Sequence, residues 1–92
     1  MENLVILTAF ILCSTAFSQS KYQNIKITDE NTPSEVTISF NPINPLNLVA
    51  AANIETYFYS FDGGYTWTAR KLTSTYGVYG DPCIVADLRG NF

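Results

Sequence analysis

Ser60, Asp62 and Thr66 are the residues whose types and spacing could do chemistry. They stand with Gly64 and Trp67 in the stretch Ser60-Phe61-Asp62-Gly63-Gly64-Tyr65-Thr66-Trp67. A carboxyl group flanked by two hydroxyls can serve as an acid or base, or it can tie down a turn. Turn chemistry accounts for every group in the stretch. Gly63 and Gly64 can take positive φ without a Cβ clash, so the chain can reverse within a few residues. Asp62 can accept from backbone N–H groups just ahead of it, and Ser60 offers a second, weaker acceptor. Trp67 follows the turn, where its ring can cover the hairpin. On this reading the stretch is structural, and a catalytic acid at Asp62 is the less economical alternative.

Other reactive types are sparse. The chain has no histidine and two cysteines, Cys13 and Cys83. A zinc site is therefore disfavoured, and a cysteine nucleophile has no imidazole base to activate it. Cys83 reads as a small buried hydrophobe on an inner strand. The two arginines, Arg70 and Arg89, read as solvated surface charges, and the six tyrosines as packing groups. No cofactor is implied.

The 92 residues allow one small domain at most. The apolar run Leu4–Phe17 abuts the N-terminus and is short for a bilayer span. With Ala16-Phe17-Ser18 after it, residues 1–18 read as a signal peptide cleaved between Ser18 and Gln19, although the first three residues carry no Lys or Arg. Cleavage removes Glu2 and Cys13, changes the formal charge from −3 to −2, and leaves Cys83 without an internal disulfide partner. The product is expected to be secreted, periplasmic or at the cell surface, with no membrane span. Its few scattered basic residues exclude a phosphate-tracking surface, so no nucleic-acid partner is expected.

The elements that must position the hairpin are all β. Residues 19–34 form a polar leader with an Ile25, Ile27 alternation. Glu35–Phe40 alternates, with Val36, Ile38 and Phe40 on one face. Asn41-Pro42-Ile43-Asn44-Pro45 is a turn, since neither proline suits a central strand. Leu46–Ala52, Glu55–Phe61 and Tyr65–Leu72 supply three more strands, and 73–79 is a linker. Four sequential antiparallel strands make a meander, the form of one propeller blade, over 35–72. Asp81–Asp87 (DPCIVAD) then resembles Glu35–Asn41 (EVTISFN) at an offset of 46 residues, within the range of propeller repeats. The segment 81–92 is thus expected to start a second blade, with Leu88–Asn91 as its turn. Apolar residues on both faces of 55–61 expect cover from neighbouring blades. The chain alone is expected to be the N-terminal piece of a longer protein, inactive and poorly folded by itself.

The hairpin motif, Ser-x-Asp-x-Gly-x-Thr-Trp, resembles the Asp-box or BNR repeat of sialidases and other secreted β-propellers. Five fixed identities arise by chance in so short a chain with odds on the order of one in 10⁴ to 10⁵. Glu35–Asn53 and Gly80-Asp81-Pro82 are similar to the opening strands of secreted bacterial proteins of the sialidase-like, exo-α-sialidase group. The resemblance implies a propeller of six or more blades with a site at one mouth of its channel, and a glycoside hydrolase acting on glycans. In that group an arginine cluster clamps the substrate carboxylate, a tyrosine activated by a glutamate is the nucleophile, and an aspartic acid is the acid/base. This chain has no arginine between Gln19 and Ala69 and lacks the Arg-Ile-Pro motif, so no residue of it is assigned a catalytic role. Glu35 and Asp81, at matching strand starts near the channel, are the candidate ligand-binding residues; strand-start solvation or a turn hydrogen bond is their structural alternative. A non-catalytic Asp-box propeller that binds carbohydrate or protein at the cell surface is the competing reading. A third is a propeller that stabilises another assembly.

Overall fold

The computed structural model describes residues 22–92. The expected signal peptide and the first residues of the leader lie outside that range. Four strands, β1 (Thr37–Phe40), β2 (Leu48–Ala52), β3 (Thr56–Ser60) and β4 (Thr68–Lys71), form one open antiparallel sheet in the order β1-β2-β3-β4. This is the expected meander, with shorter strands than the alternation suggested.

The register divides the side chains between two faces. Ile38 opposes Ala50, Ala50 opposes Phe58, and Phe58 opposes Ala69. Because side chains alternate along a strand, Phe40, Ala52 and Ser60 share that face. Ala50, Ala52 and Phe58 form its buried core, with Ile27 of the leader and Trp67 packed against it. Burying one phenylalanine contributes about 1.5–3 kcal/mol. Among the described residues the leader forms no strand; Ile27 contributes as a plug. An apolar groove of about 310 Å³ remains beside it, lined by Ile27, Val36, Ile38, Ala50 and Phe58.

The opposite face carries Thr37, Val49, Ala51, Tyr57 and Tyr59. Tyr57, Tyr59 and Phe61 run along it as a ladder, with ring centroids 6.5 and 5.4 Å apart. The segment 82–92 lies over this face. Pro82, Ile84 and Phe92 border a groove of about 440 Å³ with Val49, Ala51 and Tyr57. The Ile84 N–H donates to Thr37 Oγ1 at 3.4 Å.

Several expectations need correction. No strand forms within 81–92: the segment joins no ladder, and the Ile84 N–H donates to a side chain, Thr37 Oγ1. The segment keeps a strand-like alternation, with Pro82, Ile84 and Ala86 half-buried and Cys83 and Val85 exposed. Cys83 therefore faces solvent rather than a core. Four of the six tyrosines, Tyr22, Tyr65, Tyr76 and Tyr79, are exposed, so only Tyr57 and Tyr59 pack on the sheet. Arg70 lies on β4, which is exposed throughout, and Arg89 in the final turn is also exposed, as expected. The Lys71 ammonium meets Glu55 at 2.6 Å across the β3–β4 edge, an exposed pair contributing about 0–1 kcal/mol. Among the described residues no helix is long and apolar enough to cross a membrane.

Candidate functional site

The β3–β4 hairpin is built by its own side chains. Ser60 ends β3 with only 2% of its surface exposed. Its Oγ accepts from the Gly64 N–H at 2.9 Å and the Asp62 N–H at 3.4 Å, and donates to Asp62 Oδ1 at 2.8 Å. Asp62 Oδ1 also accepts from the Thr66 N–H at 2.9 Å, and Oδ2 accepts from the Thr66 hydroxyl at 2.5 Å. The Trp67 indole N–H donates to the Gly64 carbonyl at 2.8 Å, which holds the ring over the turn. Gly63 and Gly64 have φ of +77° and +91°, a region open to glycine and strained for other residues. A Cβ on Gly64 would already touch the Trp67 ring at 3.4 Å. Ser60, Asp62, Gly64, Thr66 and Trp67 thus all act on one turn.

The hydroxyl of Thr66, then its backbone N–H, then Ser60 hold the Asp62 carboxyl at about 2, against an ordinary 3.8. An acid held so far down stays ionised and cannot donate a proton near neutrality. Among the described residues no other titratable group is brought against Asp62, and no cluster of three or more Cys, Asp or Glu is placed to hold a metal ion. The contacts of the box all serve to fasten the hairpin.

The hairpin is also tied to the turn at the same end of the sheet. Asn41 Oδ1 accepts from the N–H groups of Ile43 and Asn44 at 2.9 and 3.3 Å, and Asn44 Oδ1 from Leu46 at 3.3 Å. The Gly63 N–H donates to the Leu46 carbonyl at 2.9 Å. The turn 87–91 packs on this end too, since a Cβ on Gly90 would lie 2.7 Å from the Asn41 amide.

Glu35 and Asp81 lie at the opposite end. Their φ angles are +49° and +48°, both in the left-handed region. Asn53, in the β2–β3 turn, joins the two segments: its N–H donates to the Ser34 carbonyl at 3.0 Å, and its Oδ1 accepts from the Asp81 N–H at 2.7 Å. Both carboxylates are exposed and accept no hydrogen bond from any described residue. The structure thus brings the two acids to either side of one asparagine and leaves them facing solvent.

The likeness between the two segments reaches beyond these acids. Thr28 Oγ1 accepts from the Glu30 N–H at 3.1 Å; Ser74 Oγ accepts from the Tyr76 N–H at 3.1 Å. Asn31 and Gly77 both have positive φ. Asn41 Oδ1 accepts from the N–H two residues on, and Asp87 Oδ1 accepts from the Arg89 N–H at 2.8 Å. Each of these pairs is separated by the same 46 positions as Glu35 and Asp81. Thr32, at φ +43°, has no counterpart at Val78. Asn91 further clasps Asp87 through its side-chain and backbone N–H groups, both at 2.9 Å, which holds that carboxyl below its ordinary range.

Sequence reasoning missed Asn53, whose partners lie far along the chain. It also missed Thr28 and Ser74, although extending the comparison of the two segments upstream aligns two hydroxyl residues there. Comparison of the chain with family models, curated proteins and solved structures finds no match.

Proposed function

We propose that residues 35–72 are the first blade, and 81–92 the start of the second, of a secreted Asp-box β-propeller of the sialidase-like type. Its complete ring acts on glycans as a glycoside hydrolase. The observation that carries this reading is the recurrence of backbone geometry at 46 residues, from Thr28/Ser74 to Asn41/Asp87, around a sheet whose hairpin is fastened by the Asp-box. A blade stack requires the next repeat to lie over the face of the preceding sheet, and Pro82, Ile84 and Phe92 border the Val49, Ala51 and Tyr57 face.

This segment contributes scaffold, and further blades supply the catalyst. Glu35 and Asp81, at equivalent strand starts on one end of the stack, would present their carboxylates to a ligand at the channel mouth. The second reading is a non-catalytic propeller that binds carbohydrate or protein at the cell surface. It is favoured by the exposed positions of both arginines, neither of which can serve as a buried carboxylate clamp.

The test is a protein carrying this segment and the blades after it, assayed on a fluorogenic sialoside and by glycan binding. Hydrolysis supports the enzyme reading; binding without hydrolysis moves the assignment to the second; neither removes both. In that protein, Glu35→Ala or Asp81→Ala should weaken ligand binding without lowering the melting temperature, and unchanged affinity would end their assignment.

A further inference from the structure

Asp62 is the only one of the four aspartates followed by glycine. An aspartate is open to attack by the next residue's backbone nitrogen when no side chain shields that nitrogen. We propose that Asp62-Gly63 is a latent isoaspartate site, kept closed because the hairpin engages both reacting groups, and opened whenever the hairpin comes apart. The chemistry needs only water. Gly63 N attacks Asp62 Cγ, and a new N–Cγ bond forms. One carboxyl oxygen leaves as water with the amide proton and the acid proton, giving a five-membered imide. Water then adds at either imide carbonyl. Opening at Cγ restores aspartate; opening at the backbone carbonyl leaves the chain running through Cγ, as isoaspartate.

The folded hairpin opposes each part of this. The Gly63 N–H donates to the Leu46 carbonyl at 2.9 Å and must leave it before the nitrogen can attack. The Asp62 carboxylate accepts from the Ser60 hydroxyl, the Thr66 N–H and the Thr66 hydroxyl at 2.8, 2.9 and 2.5 Å. Turning it toward Gly63 N breaks all three bonds. The same bonds hold the carboxyl at about 2 in place of 3.8. The neutral form, from which water leaves most readily, is thereby made rarer at neutral pH.

Isoaspartate would not fit back. The backbone gains a methylene at the turn, and the carboxylate that Ser60 and Thr66 hold is displaced. Time spent with the hairpin open is thus recorded as a covalent change at the residue on which the hairpin depends. The proposal stands whether or not the propeller reading does.

The experiment takes a chain whose Gly63, Gly64 and Thr66 amides are protected without denaturant, either this one or one that continues past Phe92, and incubates it across a denaturant series. Isoaspartate at position 62 is measured by peptide mapping, and independently by methyl transfer from S-adenosylmethionine by an isoaspartyl carboxyl methyltransferase. Amide exchange at Gly63, Gly64 and Thr66 is followed in the same samples. The isomerisation rate should rise in step with loss of amide protection, by at least about tenfold between the folded and unfolded limits. Thr66→Val, which removes the hydroxyl donor and keeps the N–H, should raise the rate without denaturant. A rate that stays flat across the series, or a Thr66→Val chain that isomerises no faster than the parent, overturns the proposal.

Discussion

Replacing Ser60 with alanine removes the most enclosed polar group of the hairpin. Its hydroxyl, 2% exposed as a residue, accepts from Gly64 N–H and donates to Asp62. Water has little access to take its place, so the mutation leaves the Gly64 N–H without a partner and frees one side of the Asp62 carboxylate. Leaving a part-buried donor unsatisfied costs about 1–3 kcal/mol, and a central value near 2 is expected. The change should appear as faster local opening. Native-state amide exchange at Gly64 and Thr66 should accelerate roughly 30-fold. The Ala50 amide, in the central strand β2, should change less, because fraying at a hairpin tip needs no opening of the sheet. Less than about a twofold change at Gly64 would show that the hydroxyl does not hold the turn, and the account of the box would fail.

Asp62 links the hairpin to pH. Its carboxyl is held near 2 when folded and rises to 3.8 when unfolded, so the folded form binds fewer protons between those values. The stabilisation is complete above the unfolded value and is lost as pH falls through the folded one. Protection of the Thr66 amide should therefore fall between pH 4 and 2 in the parent, and Asp62→Asn should flatten that dependence; an equally steep fall in the variant would assign the transition elsewhere. Asn53→Ala removes the acceptor of the Asp81 N–H. It should release segment 81–92 from the sheet at a cost of about 0.5–1.5 kcal/mol, seen as faster exchange at Asp81 and Ile84 with β3 unaffected, and contradicted by an unchanged Asp81 amide. Gly90→Ala adds a Cβ 2.7 Å from Asn41 at a φ of +85°. It should cost at least about 1–2 kcal/mol, and a neutral thermal shift would show that turn 87–91 does not rest on Asn41.

The box was legible because its donors and acceptors lie within four residues of each other, so composition and spacing decide the turn. The strand cores were legible for a similar reason: Ile38, Ala50 and Phe58 alternate with residues of the other face. The strand ends were not. Glu35 takes a left-handed φ, so β1 begins two residues later, at Thr37. The Leu46 carbonyl is taken by Gly63 and the Asn47 N–H by Asn44, which delays β2 to Leu48. Thr66 and Trp67 serve the box, so β4 starts at Thr68. Cys83 was misread because its residue type favours burial, whereas the alternation along segment 82–86 leaves Pro82, Ile84 and Ala86 half-buried and Cys83 exposed. Asn53 was illegible for a further reason: an asparagine in a turn has local uses, and only the fold shows that its partner is 28 residues away.

The central claim is that segment 74–92 begins a second copy of the unit that starts at Thr28, and that the copy stacks on the Val49, Ala51 and Tyr57 face. The most direct measurement is an experimentally determined structure of a chain that continues past Phe92. The account predicts that residues 83–86 form the inner strand of a second four-stranded sheet lying over that face, with Thr28–Asn41 and Ser74–Asp87 superposing. Residues 83–86 instead pairing in plane beside β1 or β4, as a fifth strand of the same sheet, would contradict it.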